Sequence, residues 1–324
     1  MNSVATAETQ RAEVVTRRRS HAFMHLLMLV VTVCWAANIV AGKEALRGFG
    51  PLALAQLRVL GAALVYGLIF LMCRKRVALR LTWHQWMTMV LLALNGVTLN
   101  QLFFIGGLAR TSVSHTGLIV ALGPVMVLVL ACLLRLEALT VPKFVGMVIS
   151  FIGVAILTAD KAGGANGGYW VGDLILLAGG AVFAYYTILM KQVANQFDVL
   201  TLNTLAFGMG AFLLVPFSGH AAVTVKWATL PAEAWWGLAY MVILGSVVPY
   251  LLFAFALTEL AASRVSAFSY LQPVIATGLG IWLVSERLTT KVVVGGITIL
   301  LGVYLTERER GEEKEVNAMA RNTR

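Results

Sequence analysis

The sequence predicts an all-α membrane protein of ten transmembrane helices, arranged as two inverted five-helix repeats. Three observations predict it. The 324-residue chain is 59% hydrophobic and 12% charged, against roughly 45–50% and about 25% in soluble domains. Its apolar residues come in long blocks: 86–109, 111–134 and 234–258 hold no Asp, Glu, Lys or Arg. The chain also repeats itself at a spacing of 149 residues, where "VALGPVMVLVLACLLRLEALT" (120–140) is answered by "SYLQPVIATGLGIWLVSERLT" (269–289).

A span needs about 20 apolar residues, and only helices and closed barrels satisfy their own backbones in lipid. Short strands of alternating polarity are absent, so the spans are helices. They are expected at 22–42, 51–72, 84–108, 111–135, 141–159, 170–191, 199–219, 234–257, 262–285 and 290–307, the fifth and tenth having the shortest charge-free cores. The polar stretches 1–21 and 308–324 read as disordered cytoplasmic tails. The first apolar run is a full-length span and lacks a cleavable signal pattern. Nothing remains for a soluble domain.

From Ser114 to Val154, 13 of 41 pairs at the 149-residue spacing are identical. Matches at Leu and Val are expected between any two apolar stretches. Those at Pro124/Pro273, Glu137/Glu286, Thr140/Thr289, Gly146/Gly295 and Gly153/Gly302 are more specific. At a spacing of 148, Trp35 aligns with Phe183, Ala36 with Ala184 and Lys43 with Lys191. The units 22–159 and 169–307 therefore hold five helices each. Five is odd, so the second unit enters the membrane from the opposite face. Such inverted pairs are typical of secondary transporters, with the site near the bilayer midplane.

Basic residues set the orientation. With the N-terminus inside, 17 Lys and Arg fall on the inner side and 7 on the outer, with Arg58 inside a span. Both termini are thus expected in the cytoplasm, in the cell (inner) membrane. The net charge of +10 is an orientation signal spread over loops, not a nucleic-acid surface. Cys34, Cys73 and Cys132 stand alone and suggest neither a disulfide framework nor a metal site. No cofactor is called for.

The chain resembles the EamA branch of the drug/metabolite transporter superfamily. The likeness covers about residues 22–307 and is carried by "CWAANIVAGKEAL", "PLALAQLR", "GLARTSVSHTGLIVALGPV" and "LRLEALTVPKFVGMVISFIGVAIL". The second copy supplies "GDLILLAGGAVFAYYTILMK", "LTELAASRVSAFSYLQPV" and "VSERLTTKVVVGGITILLGVYL". Each piece is loose, but their order, spacing and duplication together are specific. The resemblance implies ten helices around a central cavity and the export or exchange of small metabolites, with no particular substrate. It also implies that a single copy can suffice, while the sequence leaves the oligomeric state open.

Pro124 and Pro273 fall mid-span, where each removes a hydrogen bond and crowds the carbonyl four residues earlier, at Val120 and Ser269. They mark helix kinks that either line the substrate path or serve packing alone. Pro249 is a third such residue with no counterpart in the first half. Glu137 and Glu286 precede Thr140 and Thr289, which can N-cap the next helix, and an acid there meets a favourable dipole. These residues belong to architecture.

Polar groups inside spans tend to face the bundle interior. The substrate-cavity candidates are Trp35, Asn38, Asn100, Gln101, His115, Tyr185, Tyr186, Tyr250, Tyr270 and Gln272, with Asn95 and Thr116 beside them. Each singly is as readily an interhelical hydrogen bond or an interface anchor. Arg58 reads as a snorkelling or structurally paired side chain first, and as an attractor of anionic substrate second. All 15 acidic residues fall in tails, loops or helix ends, so His115 is the one candidate proton relay. The expected substrate is a small neutral or zwitterionic metabolite, such as an amino acid with an apolar or aromatic side chain. An intramembrane enzyme would need a catalytic constellation, and none is seen. A non-transporting membrane sensor or scaffold is the alternative, weakened by the short loops.

Overall fold

The structure, a computed structural model, describes residues 2–73, 82–135, 139–159, 169–193, 196–259, 268 and 271–305, with backbone alone for 2–22 and 158. It is all-helical, with no strand among the described residues. Seven helices are long and apolar enough to cross a membrane. They are α1 (Asn2–Ala45, apolar from Phe23), α2 (Pro51–Met72), α3 (Trp83–Leu108), α4 (Val113–Leu133), α6 (Trp170–Val193), α7 (Val199–Val223) and α8 (Ala232–Glu259). Three shorter apolar helices stand beside them among the described residues: α5 (Val141–Thr158), α9 (Leu271–Val284) and α10 (Thr290–Leu305).

Local chemistry sets several starts. Gly50 is extended and Pro51 opens α2, a place where the missing N–H costs nothing. Thr82 and Gln85 form a reciprocal capping box for α3. The Ser112 hydroxyl accepts from the His115 amide at α4, and the Asp198 carboxylate accepts from the Thr201 amide at α7. Thr289 caps α10 through the Val292 amide at 3.2 Å, as expected. α4 and α9 end alike: Arg135 (φ 58°) and Ser285 (φ 56°) are left-handed, the geometry that closes a helix C-terminus.

Three expectations need correction. The first 21 residues are not a tail without structure: α1 runs unbroken from Asn2. The chain holds no proline before Pro51 and no glycine before Gly42, so nothing interrupts the helix. Pro124, mid-span as expected, marks a break rather than a kink. α4 breaks at Ala121–Leu122, and Pro124 opens its second segment, Gly123–Leu133. Pro273 is the third residue of the described part of α9, which opens at Leu271; Ser269 and Tyr270 are outside the described residues. Glu286 serves a different helix from the one expected. It accepts from the Val113 amide at 2.6 Å and from the Ser114 amide and hydroxyl at 3.0 and 2.8 Å. It therefore caps α4, from the far half of the chain. Glu137 is outside the described residues.

The helices of the two halves interleave. α1 packs on α8 and α9, while α6 packs on α3 and α4. α2 lies along α7, tied by Gln56 Nε2 to the Ala211 carbonyl at 3.2 Å and by the Ser218 hydroxyl to Gln56 Oε1 at 2.9 Å. α5 meets α10 backbone to backbone. A Cβ on Gly153 would lie 2.6 Å from the Ile299 nitrogen and 2.9 Å from the Gly295 carbonyl. One on Gly302 would lie 2.5 Å from the Gly146 carbonyl. The pairing of 153 with 295 and 146 with 302 runs the two helices antiparallel. The outer surface is apolar. Leu64, Leu71, Phe212 and Trp282 are all exposed, as lipid-facing side chains are. Trp83, Trp170 and Trp236 are exposed at helix starts, where aromatic residues anchor at the membrane interface.

Candidate functional site

The third helix of each half is distorted at corresponding places. α3 carries a π-helical stretch at Ala93–Leu99, and α8 carries one at Ile243–Val247. Such wide turns recur at functional sites, because they release carbonyls from the helical ladder. Here Pro249 adds to the effect: lacking an N–H, it leaves the Gly245 carbonyl four residues earlier without its usual donor. Other helices fill the vacancies. Arg58 Nη2 donates to the Gly245 carbonyl at 3.0 Å, and the Tyr66 hydroxyl donates to that of Val247 at 2.8 Å. In α3 the Gly96 carbonyl accepts from the Tyr250 hydroxyl at 3.3 Å and from Asn100 Nδ2 at 3.4 Å.

Between these stretches lies a cavity of about 140 Å³, formed by α1, α2, α3, α4, α6, α8 and α9. A cavity of roughly 150 Å³ holds a benzene ring, so the scale suits a small metabolite. Trp35, Phe183 and Tyr250 make an aromatic wall, with centroids 5.8 to 6.4 Å apart. Asn38, Asn100, Gln101 and Gln272 bring amides, and Arg58 brings the one charge on the lining. Gly123 and Gly180 also lie on the lining. Asn100 Nδ2 also reaches the Tyr250 hydroxyl at 3.2 Å, joining α3 to α8 across the cavity.

Of the ten candidates, Trp35, Asn38, Asn100, Gln101, Tyr250 and Gln272 line this cavity. Tyr186 is buried behind its wall, 5.3 Å from Phe183, with its ring against Gly96. Tyr185, the adjacent residue, is half-buried and not on the lining. Tyr270 is outside the described residues. Asn95 and Thr116 bond back to their own helices, at Leu91 and Ser112. Sequence reasoning missed Phe183 and Phe104. The alignment of Phe183 with Trp35 was the available signal for the first.

The electrostatics meet expectation at one residue and depart from it at another. Arg58 is structurally paired and does not snorkel: it is 2% exposed, with Nε on the Ser246 hydroxyl at 2.9 Å and Cζ 5.6 Å from the centre of the Phe104 ring. His115 is not an isolated relay on the cavity. It is fully buried, with Nδ1 2.9 Å from the equally buried carboxylate of Asp173. Asp173 accepts a second bond from the Thr111 hydroxyl at 2.5 Å, and the Tyr169 ring stands edge-on to the imidazole. Asp173 lies in the first turn of α6, where sequence position suggested exposure. The packing of α4 over that turn buries it. Lys43 donates to the Thr111 carbonyl beside it. Together with Glu286 on α4, this polar cluster ties the ends of α1, α3, α6 and α9 together at one end of the bundle. At the end of α8, Lys191 donates to the Leu257 carbonyl at 2.7 Å, a cation on a helix C-terminus.

Four buried polar atoms of the lining have no hydrogen-bond partner: Asn38 Oδ1, Arg58 Nη1, Gln101 Oε1 and Gln272 Oε1. Buried polar atoms are normally paired, and these four belong to one lining.

The chain matches the EamA-like transporter family twice, over residues 22–159 and 170–308. It is 30% identical to an "Uncharacterized transporter" of Archaeoglobus fulgidus over 288 residues, covering 87% of this chain and 96% of that one. It is 26% identical to the transporter YyaM of Bacillus subtilis, covering 87% and 93%. It is 25% identical to the "Probable terminal-alkyne amino-acid exporter" of Streptantibioticus cattleyicolor, covering 93% and 99%. A solved crystal structure at 15% identity superposes with a TM-score of 0.62 over 87% of this chain and 96% of its own, a likeness of fold. These relatives carry transporter names, not enzyme names. With its duplicated match and its apolar helices, the chain is a multi-pass membrane transporter, and it belongs to the EamA-like transporter family.

Proposed function

We propose that the protein is a secondary transporter of the cell membrane that exports or exchanges small neutral or zwitterionic metabolites by alternating access. In this reading ten helices form two inverted five-helix halves, with both termini cytoplasmic. The observation that carries it is the interleaving around the cavity. α1 leans on α8 and α9, and α6 leans on α3 and α4, so each half lends its first helix to the other. A rocking of one bundle against the other then exchanges two similar arrangements at little free-energy difference, as inverted repeats allow.

The cavity supports the substrate class. Its aromatic wall and amides suit a compact molecule with an apolar part and a polar head. The likeness to a named amino-acid exporter favours amino acids within that class. The cluster of Lys43, Thr111, His115, Asp173 and Glu286 closes one end of the bundle and opens in the other half of the cycle. Proteoliposomes test the reading. Vesicles preloaded with an unlabelled mixture of amino acids should accumulate tritiated L-leucine or L-phenylalanine faster than empty vesicles. Failure of counterflow with every small metabolite tried removes it.

A further inference from the structure

The geometry points to Arg58 as the anchor for a carboxylate group of the transported molecule, which makes small carboxylates, the zwitterionic amino acids among them, the substrate class of the cavity. This rests on the transporter reading above and specifies which end of the substrate the site reads.

Two of the guanidinium's three nitrogens have structural work. Nε donates to the Ser246 hydroxyl at 2.9 Å and Nη2 to the Gly245 carbonyl at 3.0 Å. Both acceptors sit in the π-helical stretch of α8, and together they fix the orientation of the fork. The third nitrogen, Nη1, is buried and has no partner, on a side chain that is 2% exposed and lines the cavity. No Asp or Glu shares that lining. An arginine held only for packing would have its remaining donors satisfied or turned to water. This one keeps a buried, unpaired charged donor on a side chain that lines a carboxylate-free cavity, and a guanidinium stays charged across the physiological range. Its complement is a planar anion that accepts from the open end of the fork. Asn38 Oδ1 packs against Gly245, but the unpartnered Gln101 Oε1 and Gln272 Oε1 on the same lining are acceptors. They repel a second anionic group and accept from an ammonium, which distinguishes an amino acid from a dicarboxylate or a phosphate ester. A substrate lacking any anion would leave Nη1 unpaired in the loaded state, where desolvation is most complete.

The test uses purified full-length protein in detergent and three probes of one carbon skeleton: L-leucine, isocaproate (no amino group) and isoamylamine (no carboxylate). Thermal unfolding is followed as a function of probe concentration. L-leucine and isocaproate should raise the midpoint, and isoamylamine should not. In Arg58→Lys, which keeps a cation able to reach the Gly245 carbonyl but loses the fork, half-saturation by L-leucine should move up about tenfold or more, the scale of a charge-assisted hydrogen bond. Equal stabilisation by isoamylamine overturns the anchor, as does an unchanged response in Arg58→Lys or no response to any of the three probes. If Arg58→Lys does not fold, the ranking of the three probes on the native chain decides alone. Counterflow separates this inference from the broader one. Solutes that cross without regard to a carboxylate sink the anchor and leave the transporter standing. Probes that bind in the expected order but never cross do the reverse.

Discussion

The indole of Trp35 and the ring of Phe183 meet edge to face, with 6.0 Å between centroids and 85° between planes. These residues stand 148 positions apart and align with each other in the duplicated sequence. The same happens at the far helices: the Ser150 hydroxyl donates to the carbonyl of Ile299, 149 positions on, at 3.5 Å. Residues that correspond under a twofold touch each other only near its axis. In the proposed inverted-repeat reading these two pairs favour an axis running through the cavity and out between α5 and α10.

Trp35 should matter through its ring. Trp35→Ala is expected to open the wall between Phe183, Tyr250 and Phe253 and to abolish stabilisation by L-leucine. Trp35→Phe should keep it within several-fold. Thermal shifts of the two variants, read against probe concentration, check this.

The contact of α5 with α10 leaves no room for a side chain. Gly153→Val should destabilise the protein by about 1–3 kcal/mol, the usual cost of forced overpacking, and Gly295→Val should act alike because the two glycines face each other. The double variant should be worse than either. Thermal unfolding in one detergent is the measurement, and a neutral Gly153→Val would show that the helices can part there.

His115 and Asp173 are both fully buried. Removing one member of such a pair costs about 3–5 kcal/mol, because the other is left buried without it. Asp173→Asn and His115→Ala should each lower the unfolding midpoint strongly. The double variant should fall well short of their sum, and full additivity would mean that the pair is not coupled.

Glu286 should act on the cycle. Glu286→Gln removes the anionic cap on α4 while keeping the shape, at a cost of about 0.5–2 kcal/mol for a lost cap. The closed arrangement at that end should then be less populated. A cysteine placed at Gly123, in a chain freed of Cys34, Cys73 and Cys132, should react several-fold faster with a membrane-impermeant thiol reagent applied from that side. An unchanged rate counts against the closing role.

Much of this architecture is legible from residues alone. Charge-free blocks locate the long helices, and proline, glycine and glutamate matches expose the duplication. The cavity is partly legible, because polar groups in apolar spans have few places to go: Asn38, Asn100, Gln101 and Gln272 all reach it. What stays hidden depends on which helix covers which. Asp173 looks like an exposed first-turn acid until α4 lies over it, and Glu286 looks like a cap for the helix that follows it, yet it caps a helix 173 positions earlier. For Arg58 the sequence leaves pairing and snorkelling undivided. The carbonyl that draws it inward becomes available through Pro249, and the sequence does not say that α2 passes that proline.

The glycine seam between α5 and α10 carries a mechanical consequence. Peptide planes pressed together have no rotamers to exchange and no slack to absorb a shear. In the proposed cycle that junction would serve as a fulcrum, with displacements of the other helices growing with distance from it.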